Sequence, residues 1–281
     1  MLATGANPQA LFAFALDTVK RITSRNNPQY RGLRRLAQST KARREEGRTI
    51  LDGVHLLQAY VATFGTDDVQ LILRDTAFDH PEIASLVASL DAANSLTLAD
   101  SLFDEISPVE SPVGVMAAVP IRPPIATATA QTGFSVFVDG VQDPGNLGSI
   151  LRSAVAAGAK ELMLSAQCPD AWSPKSLRGG MGAQFQVVIH EEVDLDEAAQ
   201  RFVGKLIATD AGAQQSLYEA DLSGAVGFIL GSEGAGVSAN LRNYAHLRVR
   251  IPMELGMESL NVAAAASVLF FEWRRRRILA A

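Results

Sequence analysis

Residues 138–159, VDGVQDPGNLGSILRSAVAAGA, predict a strand, a tight turn and a helix, an order with which many phosphate- and nucleotide-binding sites begin. The turn contains Pro144 and Gly145, Asn146 lies at the mouth of the helix, and Arg152 lies inside it. The segment has neither the G-x-G-x-x-G spacing of a dinucleotide site nor the lysine of a P-loop. It therefore indicates polar chemistry at a helix start without either of these common motifs.

The apolar residues of this helix recur at helical spacing and form one core face, namely Leu147, Ile150, Leu151, Ala154 and Val155. Arg152 lies on the opposite face, where packing does not need it. Taken alone, Asn146 is better explained as the N-cap of the helix, and Arg152 as a solvent-exposed arginine.

Two later blocks carry similar polar residues. Residues 231–236, GSEGAG, hold Glu233 in a turn of three glycines, which permit positive φ and close backbone approach to a ligand. The segment 251–263, IPMELGMESLNVA, leads through a loop into the last helix. Taken alone, Ser259 reads as the N-cap of that helix and Asn261 as a first-turn polar residue.

The three blocks together resemble a known family. N-x-G-x-x-x-R (Asn146, Gly148, Arg152), G-x-E-G-x-G (231–236) and I-P-M…S-L-N-V (251–262) look like the three motifs of the SpoU (TrmH-like) family. Members are RNA ribose 2′-O-methyltransferases of the SPOUT class. The resemblance covers the chain from about residue 133 to its end.

The resemblance extends to two N-terminal stretches, TSRNNPQYRGLRRL at 23–36 and GRTILDGVHLL at 47–57. They look like the small N-terminal RNA-binding domain of the family. The resemblance thus implies an α/β fold with a smaller N-terminal α/β domain. It also implies a C-terminal domain with a trefoil knot, built on a mostly parallel sheet with helices on both faces.

For the cofactor, the resemblance implies S-adenosylmethionine as the methyl donor, bound in the knot rather than over a glycine loop. The loops after strands 205–209, 226–230 and 247–251 would hold it. Backbone groups of Gly231, Ile251 and Leu260 would bind its two ends, with Thr209 nearby. Main-chain N–H and C=O groups can do this whatever the side chain.

The resemblance also implies catalytic roles. Asn146 would orient the ribose hydroxyl, and Arg152 would bind the neighbouring phosphate and stabilise the developing alkoxide. An arginine stays protonated, so an electrostatic role fits it better than that of a general base. Glu233 would hold Arg152 or a neighbouring base, and Ser259 and Asn261 would shape the loop around the methyl donor.

The elements that position these residues fall into two domains. The Pro-, Ala- and Thr-rich stretch at 120–132 predicts a linker between an RNA-binding domain at 1–119 and a catalytic domain at 133–281. The N-terminal pattern predicts helices at 8–21, 55–64 and 81–90 and strands at 49–51, 69–73 and 113–119.

Beyond the linker, strands and helices alternate, which predicts a mostly parallel sheet with a ligand at the carboxyl ends of its strands. We expect strands at 134–140, 161–165, 186–191, 205–209, 226–230 and 247–251. We expect helices at 146–158, 173–180, 195–203 and 259–277.

Charge is distributed unevenly along the chain. Residues 20–48 hold ten Lys or Arg against two Glu, although the net charge of the chain is −5. The segment is explained either as a solvated basic helix or as a contact for a polyanion such as RNA. As RNA contacts we single out Arg25, Arg31, Arg34, Arg35, Lys41, Arg43 and Arg44.

The composition of the chain argues against several classes of protein. The one cysteine, Cys168, and four scattered histidines argue against a disulfide or a protein metal site, so no metal is expected. The N-terminus lacks a basic region ahead of its apolar residues, and the longest apolar run is too short to span a bilayer. We therefore expect a cytoplasmic protein without a membrane contact.

For partners, the resemblance implies a homodimer packed through the catalytic domain. An apolar stripe on the last helix could form that surface or pack only on its own sheet, and comprises Leu260, Ala263, Ala264, Ser267, Val268 and Phe271. Ribosomal RNA is favoured over transfer RNA as the substrate. A non-catalytic RNA-binding protein and a dinucleotide-dependent oxidoreductase stay open as weaker alternatives, as do the roles of the first 20 residues and the arginines at 274–277.

Overall fold

The structure, a computed structural model, describes residues 19–77, 81–90, 94–122, 124, 133–254 and 259–280. The chain divides near Arg122 into two compact units, with Trp172–Pro174 assigned to the first. Both units are mixed α/β structures, as the sequence predicts.

Among the residues that the structure describes, the first unit contains a five-stranded sheet and five helices. In chain order its elements are β1 (Lys20–Ile22), α1 (Pro28–Gln38), α2 (Thr40–Glu46), β2 (Arg48–Asp52), α3 (Val54–Phe64), β3 (Gln70–Arg74), α4 (Pro81–Ser89), β4 (Leu96–Leu98), α5 (Asp100–Ile106) and β5 (Val115–Pro120). The strand order is β1-β4-β3-β5-β2, and β5 runs antiparallel to both of its neighbours. Helix α1 packs against the core of this sheet through three buried side chains, Tyr30, Leu33 and Leu36.

The second unit holds a seven-stranded sheet in which every neighbouring pair is parallel. Its elements are β6 (Phe134–Val138), α6 (Pro144–Ala157), β7 (Ala159–Leu164), α7 (Pro174–Gly180), β8 (Val188–His190), α8 (Leu195–Arg201), β9 (Lys205–Thr209), β10 (Gln215–Ser216), β11 (Val226–Leu230), α9 (Ala239–Tyr244), β12 (Leu247–Arg250) and α10 (Val262–Ala280). The strand order is β10-β12-β9-β11-β6-β7-β8.

Helices cover both faces of this sheet because successive strand residues point to opposite sides. On one face Phe134 and Phe228 pack against Phe270 and Trp273 of α10, with ring centroids 4.8–5.7 Å apart. On the other face, Phe137 lies in a buried cluster that includes residues of α8 and α9. A parallel sheet covered in this way leaves the loops at its strand ends as the place for a polar site.

Most predicted elements of the second unit are confirmed, and strands 205–209 and 226–230 match to the residue. The short elements α5, α9, β4 and β10 have no strong periodic signal and went unpredicted. The predicted helix at 8–21 is wrong at its end, because Lys20–Ile22 forms a strand paired with β4. A strand of three residues has too short a sequence pattern to be distinguished from the end of a predicted helix. Residues 8–18 lie outside the described residues.

The last helix begins at Val262 rather than at 259 and carries two distinct sides. Ala263, Leu269 and Phe270 are buried against the unit's own core. Ala264 and Phe271 are exposed. The predicted apolar stripe is therefore divided, with only part of it packed on the sheet. In the linker, Pro120 still belongs to β5; residues 123 and 125–132 lie outside the described residues.

The arginines at the end of α10 are largely engaged within the unit. Glu272 is buried and accepts hydrogen bonds from Arg275 Nε at 2.7 Å and Arg276 Nε at 2.6 Å. Arg276 Nη2 also donates to the carbonyl oxygens of Leu217 and Tyr218 at 3.0 and 2.8 Å. The hydrogen bond from Arg275, together with the neighbouring charge of Arg276, lowers the pKa of Glu272 to about 2. This cluster fastens the last helix to the segment 217–220.

Replacing Glu272 by Gln removes the charge that two arginines share, so we expect the free energy of unfolding to fall by about 1–3 kcal/mol at neutral pH. Because folding lowers this pKa from 4.5 to about 2, the stabilisation is full above pH 4.5 and is lost as the pH falls towards 2. Urea unfolding at neutral pH and at about pH 3.5 should show a smaller difference from wild type at the acid pH. Glu219→Gln, at an exposed carboxylate nearby, is the matched control. An equal difference at both pH values would contradict this role.

Candidate active site

Four neighbouring strands bring the three sequence blocks together. In the order β12-β9-β11-β6 all strands are parallel, so their carboxyl ends meet at one edge of the sheet. The loops at this edge are 139–143, 210–214, 231–238 and 251–261, of which residues 255–258 lie outside the description. The predicted site residues are carried by these loops and by the helices that follow them.

The first block starts helix α6 through Asp143 rather than through Asn146. The Asp143 Oδ1 atom accepts a hydrogen bond from the backbone N–H of Asn146 at 2.9 Å, and Pro144 occupies the first turn. Lys175 Nζ lies 2.9 Å from the other carboxylate oxygen. This hydrogen bond from Lys175, followed by those from backbone N–H groups, lowers the pKa of Asp143. The reading of Asn146 as the N-cap is therefore wrong, and its side chain is free for another partner.

That side chain joins all three blocks. Asn146 Nδ2 donates to Glu233 Oε1 at 2.8 Å, and Asn146 Oδ1 accepts from Asn261 Nδ2 at 3.0 Å. The backbone N–H of Gln142 approaches Glu233 Oε2 at 3.4 Å. Asn146 and Asn261 thus share one hydrogen-bond network with Glu233, half-buried at Asn146 and exposed at its two ends.

The third block supplies the cap of the last helix as well. Asn261 Oδ1 accepts from the backbone N–H of Ala263 at 3.0 Å and of Ala264 at 3.3 Å. The interpretation of Ser259 as N-cap is wrong, since the helix begins three residues later than expected. The side-chain amide of Asn261 therefore both caps the last helix and contacts Asn146.

A cleft of about 480 Å³ opens beside this network. All four residues predicted to bind a cofactor line it, namely Thr209, Gly231, Ile251 and Leu260. Glu233 and Ser259 line it too, whereas Asn146 contacts it through Glu233. Volumes of roughly 300–1,000 Å³ are usual for small-molecule sites.

The glycine turn closes tightly next to the cleft. A Cβ atom on Gly231 would lie 2.0 Å from the carbonyl carbon of Gly236 and 2.1 Å from the nitrogen of Val237. Gly236 has φ of 68°, and it exchanges hydrogen bonds with Ser232 in both directions. Only glycine fits at 231, because any side chain would force the turn open.

Arg152 lies apart from the network. It is exposed on α6, about 9 Å further along the helix axis than Asn146. Within the described ranges it makes no hydrogen bond or ion pair and does not line the cleft. Within the described residues Glu233 contacts Asn146 and not Arg152, so its role of holding Arg152 or a neighbouring base stays a prediction.

Six of the seven predicted RNA-binding cations are exposed on the first unit, namely Arg25, Arg31, Arg34, Arg35, Lys41 and Arg44. Arg25 and Arg34 each lie 3.0 Å from Glu105, and Arg35 and Lys41 each lie 3.7 Å from Glu45. The two pairs with Glu45 are exposed on both sides and contribute about 0–1 kcal/mol, so a phosphate can displace them. Glu105 is half-buried, but the arginines that it pairs with are exposed.

Arg43 is a correction to that set. It is 3% exposed, and its Nη1 atom donates to the carbonyl oxygens of Leu36 at 2.7 Å and Ala37 at 3.3 Å. These are carbonyls of the last turn of α1, which have no partner within their own helix. Arg43 therefore caps α1 and is not available to RNA.

Sequence reasoning missed two polar residues of this edge, Asp143 and Arg242. Asp143 had a readable signal, since Asp before Pro is a common helix start. Arg242 lines the cleft from the short helix α9 and belongs to no motif.

Within the described residues, no group of three or more His, Cys, Asp or Glu side chains could hold a metal ion. No helix among these residues is both long and apolar enough to cross a membrane.

These features define a class of protein, a two-unit α/β enzyme fold with a polar site at the carboxyl edge of a parallel sheet. The chain belongs to the SpoU rRNA methylase family, whose model matches residues 133–271. The family indicated by the three motifs is thereby confirmed, and the reading as a dinucleotide-dependent oxidoreductase is set aside.

Similarity extends over both units. An uncharacterized tRNA/rRNA methyltransferase of Synechocystis sp. is 32% identical, over 91% of this chain and 94% of that protein. The 23S rRNA (guanosine(2553)-2′-O)-methyltransferase RlmP of Bacillus subtilis is 29% identical, over 91% of this chain and 100% of its own. A crystal structure of an AdoMet-bound rRNA methyltransferase from Sinorhizobium meliloti has 28% identity and a TM-score of 0.73, covering 92% of this chain and 98% of that one.

The glycine of the first motif gives a stability test. A Cβ atom on Gly148 would lie 2.4 Å from the carbonyl oxygen of Ser176 and 2.7 Å from the nitrogen of Gly180. Because both are backbone atoms, we expect Gly148→Ala to lower the free energy of unfolding by about 1–3 kcal/mol, measured by urea denaturation.

Gly32→Ala is the control, since Gly32 lies inside α1 and a Cβ atom there meets nothing within 4 Å. It should be neutral or stabilise by up to about 1 kcal/mol. A Gly148→Ala variant as stable as wild type would refute the packing role of this glycine.

Proposed function

We propose that this chain is an S-adenosylmethionine-dependent methyltransferase that methylates a ribose 2′-hydroxyl of ribosomal RNA. One observation carries the proposal: Asn146 is hydrogen-bonded to both Glu233 and Asn261, so that residues of three separate motifs meet beside a cleft of about 480 Å³. A relative with the same two-unit length is named as a 23S rRNA 2′-O-methyltransferase. The similar Sinorhizobium meliloti structure is described as AdoMet-bound.

The cleft suits S-adenosylmethionine, which supplies a methyl group on a sulfonium sulfur when bound. Much of the wall is backbone, because Gly231, Gly234 and Gly236 have no side chain and Ser232, Ala235 and Ala211 have small ones. Main-chain groups of Gly231, Ile251 and Leu260 are proposed to hold the two ends of the cofactor. Thr209 is positioned by a hydrogen bond from Oγ1 to the carbonyl oxygen of Ile229 at 3.3 Å. No metal is needed for this chemistry.

The hydroxyl is proposed to be oriented by Asn146 and Glu233. Asn146 retains a second N–H on Nδ2, and among the described residues Glu233 Oε2 has only the long 3.4 Å contact with Gln142. Both can therefore meet the 2′-hydroxyl, with the carboxylate accepting its proton in a hydrogen bond. Ser259 and Asn261 are proposed to shape the loop around the methyl donor, Asn261 through its bond to Asn146.

Arg152 is proposed to act on the phosphate beside the target and to stabilise the alkoxide that develops on the 2′ oxygen. Its exposure and lack of a partner within the described residues leave the guanidinium available for RNA. Arg152 lies further along α6 than Asn146 and, among the described residues, makes no contact with Glu233. The partner of its guanidinium is therefore proposed to be the substrate.

A trefoil knot is proposed for the second unit. Strand β12 lies between β9 and β10, which the loop 210–214 joins directly. Arg250 Nη1, at the end of β12, donates to the carbonyl oxygen of Ala213 in that loop at 2.9 Å. The chain leaving β12 thus passes a loop that already connects both of its neighbours, as a threaded connection requires.

The first unit, residues 1–119, is proposed to bind RNA through the exposed cations of α1 and α2, and 133–281 to perform catalysis. A homodimer through the catalytic unit is proposed because Ala264 and Phe271 present an exposed face on α10. The working compartment is proposed to be the cytoplasm, in keeping with the one cysteine of the chain. Transfer RNA is the second candidate substrate, since one relative is named a tRNA/rRNA methyltransferase.

Methyl transfer from labelled S-adenosylmethionine to ribosomal RNA of cells lacking the gene tests the proposal, with the 2′-O-methyl position mapped afterwards. Arg152→Ala should lower the single-turnover rate about a hundredfold or more. Its unfolding free energy should change by no more than roughly half a kcal/mol, because the side chain is exposed. Affinity for S-adenosylmethionine should stay unchanged.

A double variant, Arg34→Ala with Arg35→Ala, is the contrast. It should weaken RNA binding and flatten its salt dependence, while the rate at saturating RNA survives. A normal single-turnover rate for Arg152→Ala would mean that this arginine is only a surface residue. Methylation of transfer RNA alone would assign the second candidate substrate.

A further inference from the structure

Among the described residues that line the cleft, four are charged, namely Asp210, Glu233, Arg242 and Arg250. Three of these four side chains have a hydrogen-bond partner within the protein. Arg250 donates to the carbonyl oxygens of Ala213 and Gln214. Asp210 accepts from the backbone N–H of Gly212 at 2.9 Å and lies 3.9 Å from Arg248. Glu233 accepts from Asn146.

Arg242 differs from the other three. Its side chain makes no hydrogen bond or ion pair with any residue that the structure describes, including the carboxylate of Glu233 in the same cleft. It is exposed, so solvent and a ligand can reach it. A guanidinium in this state has five N–H donors and no acceptor to meet.

The helix that carries Arg242 is held firmly although it is short. Leu241, its neighbour, is 1% exposed and packs in the cluster around Phe137 and Ile229. The backbone N–H of Ser238 donates to Asp139 Oδ2 at 2.8 Å, which ties the start of the helix to the end of β6. Arg242 therefore has a fixed position in the wall even without a partner for its guanidinium.

An arginine fork matches the oxygens of a phosphate or a carboxylate in two parallel hydrogen bonds. Under the proposed function, two ligands bring such oxygens, namely the RNA phosphates and the carboxylate of the methyl donor. The exposure of Arg242 favours the ligand that approaches from solvent, which is the RNA. Charge favours it as well, since Glu233 repels a phosphate near the hydroxyl that is to be methylated, and a cation in the same cleft offsets that repulsion.

We propose that Arg242 binds a backbone phosphate of the RNA next to the target nucleotide, and so holds the RNA over the cleft. The inference rests on the proposed function for the identity of the reaction. It differs from the role of Arg152, because Arg242 contributes to affinity for RNA and not to the rate once RNA is bound.

The test uses the whole chain and 23S ribosomal RNA from cells that lack the gene. Binding is measured by filter retention at a series of salt concentrations, without methyl donor, for wild type, Arg242→Ala and Arg242→Lys. Arg201→Ala is the matched control, because Arg201 is an exposed arginine of the same unit that pairs with Glu197 and does not line the cleft. Calorimetry gives the affinity of each variant for S-adenosylmethionine.

We expect Arg242→Ala to raise the Kd for RNA about tenfold and to reduce the slope of log K against log salt by about one. Arg242→Lys should keep the slope, since it keeps the charge, but bind less tightly than wild type. Arg201→Ala should match wild type, and affinity for S-adenosylmethionine should be the same for all four proteins.

An unchanged salt slope for Arg242→Ala would overturn the inference. So would a loss of affinity for S-adenosylmethionine with unchanged RNA binding, which would assign the contact to the carboxylate of the methyl donor. Failure of the proposed function is visible separately, because wild type would then bind RNA yet transfer no methyl group to it. The salt series would still decide whether Arg242 contacts phosphate.

Discussion

The side-chain amide of Asn146 is the contact on which the site depends. It donates to Glu233 and accepts from Asn261, so one residue joins three loops that are far apart in sequence. The contact is possible because four parallel strands end at one edge, and because Asp143 satisfies the start of α6 in its place. Asn261 adds a constraint of its own, since the oxygen of its amide also caps the last helix.

Close packing of backbone against backbone also supports this arrangement. Gly148 and Gly231 both lie where a Cβ atom would strike backbone, at the N-terminal part of α6 and in the turn after β11. These glycines set how near the loops come to each other, whereas the polar residues set what the loops can do. Gly148 and Gly231 therefore have a steric reason that is independent of ligand binding.

Much of the second unit could be predicted from sequence, because its strands are short apolar runs and its helices have clear caps or periods. The four residues predicted to bind the cofactor line one cleft because each lies at or beyond the carboxyl end of a strand of the parallel sheet. Tertiary contacts decided the rest. Whether Arg43 is buried depends on carbonyls of the preceding helix, and whether Glu233 meets Arg152 or Asn146 depends on loop paths that no period encodes. Strand β1 and the order in which β12 enters the sheet are likewise set by pairing partners distant in sequence.

We propose the cleft beside the Asn146 network as the methyl-donor site of this SpoU family member. A crystal structure of the chain with S-adenosylhomocysteine, the product left after transfer, would show whether the cofactor binds there. We expect density for the ligand between the loops 210–214, 231–238 and 251–261, hydrogen-bonded to main-chain atoms of Gly231, Ile251 and Leu260. Density at any other place, with this cleft filled only by solvent, would contradict it.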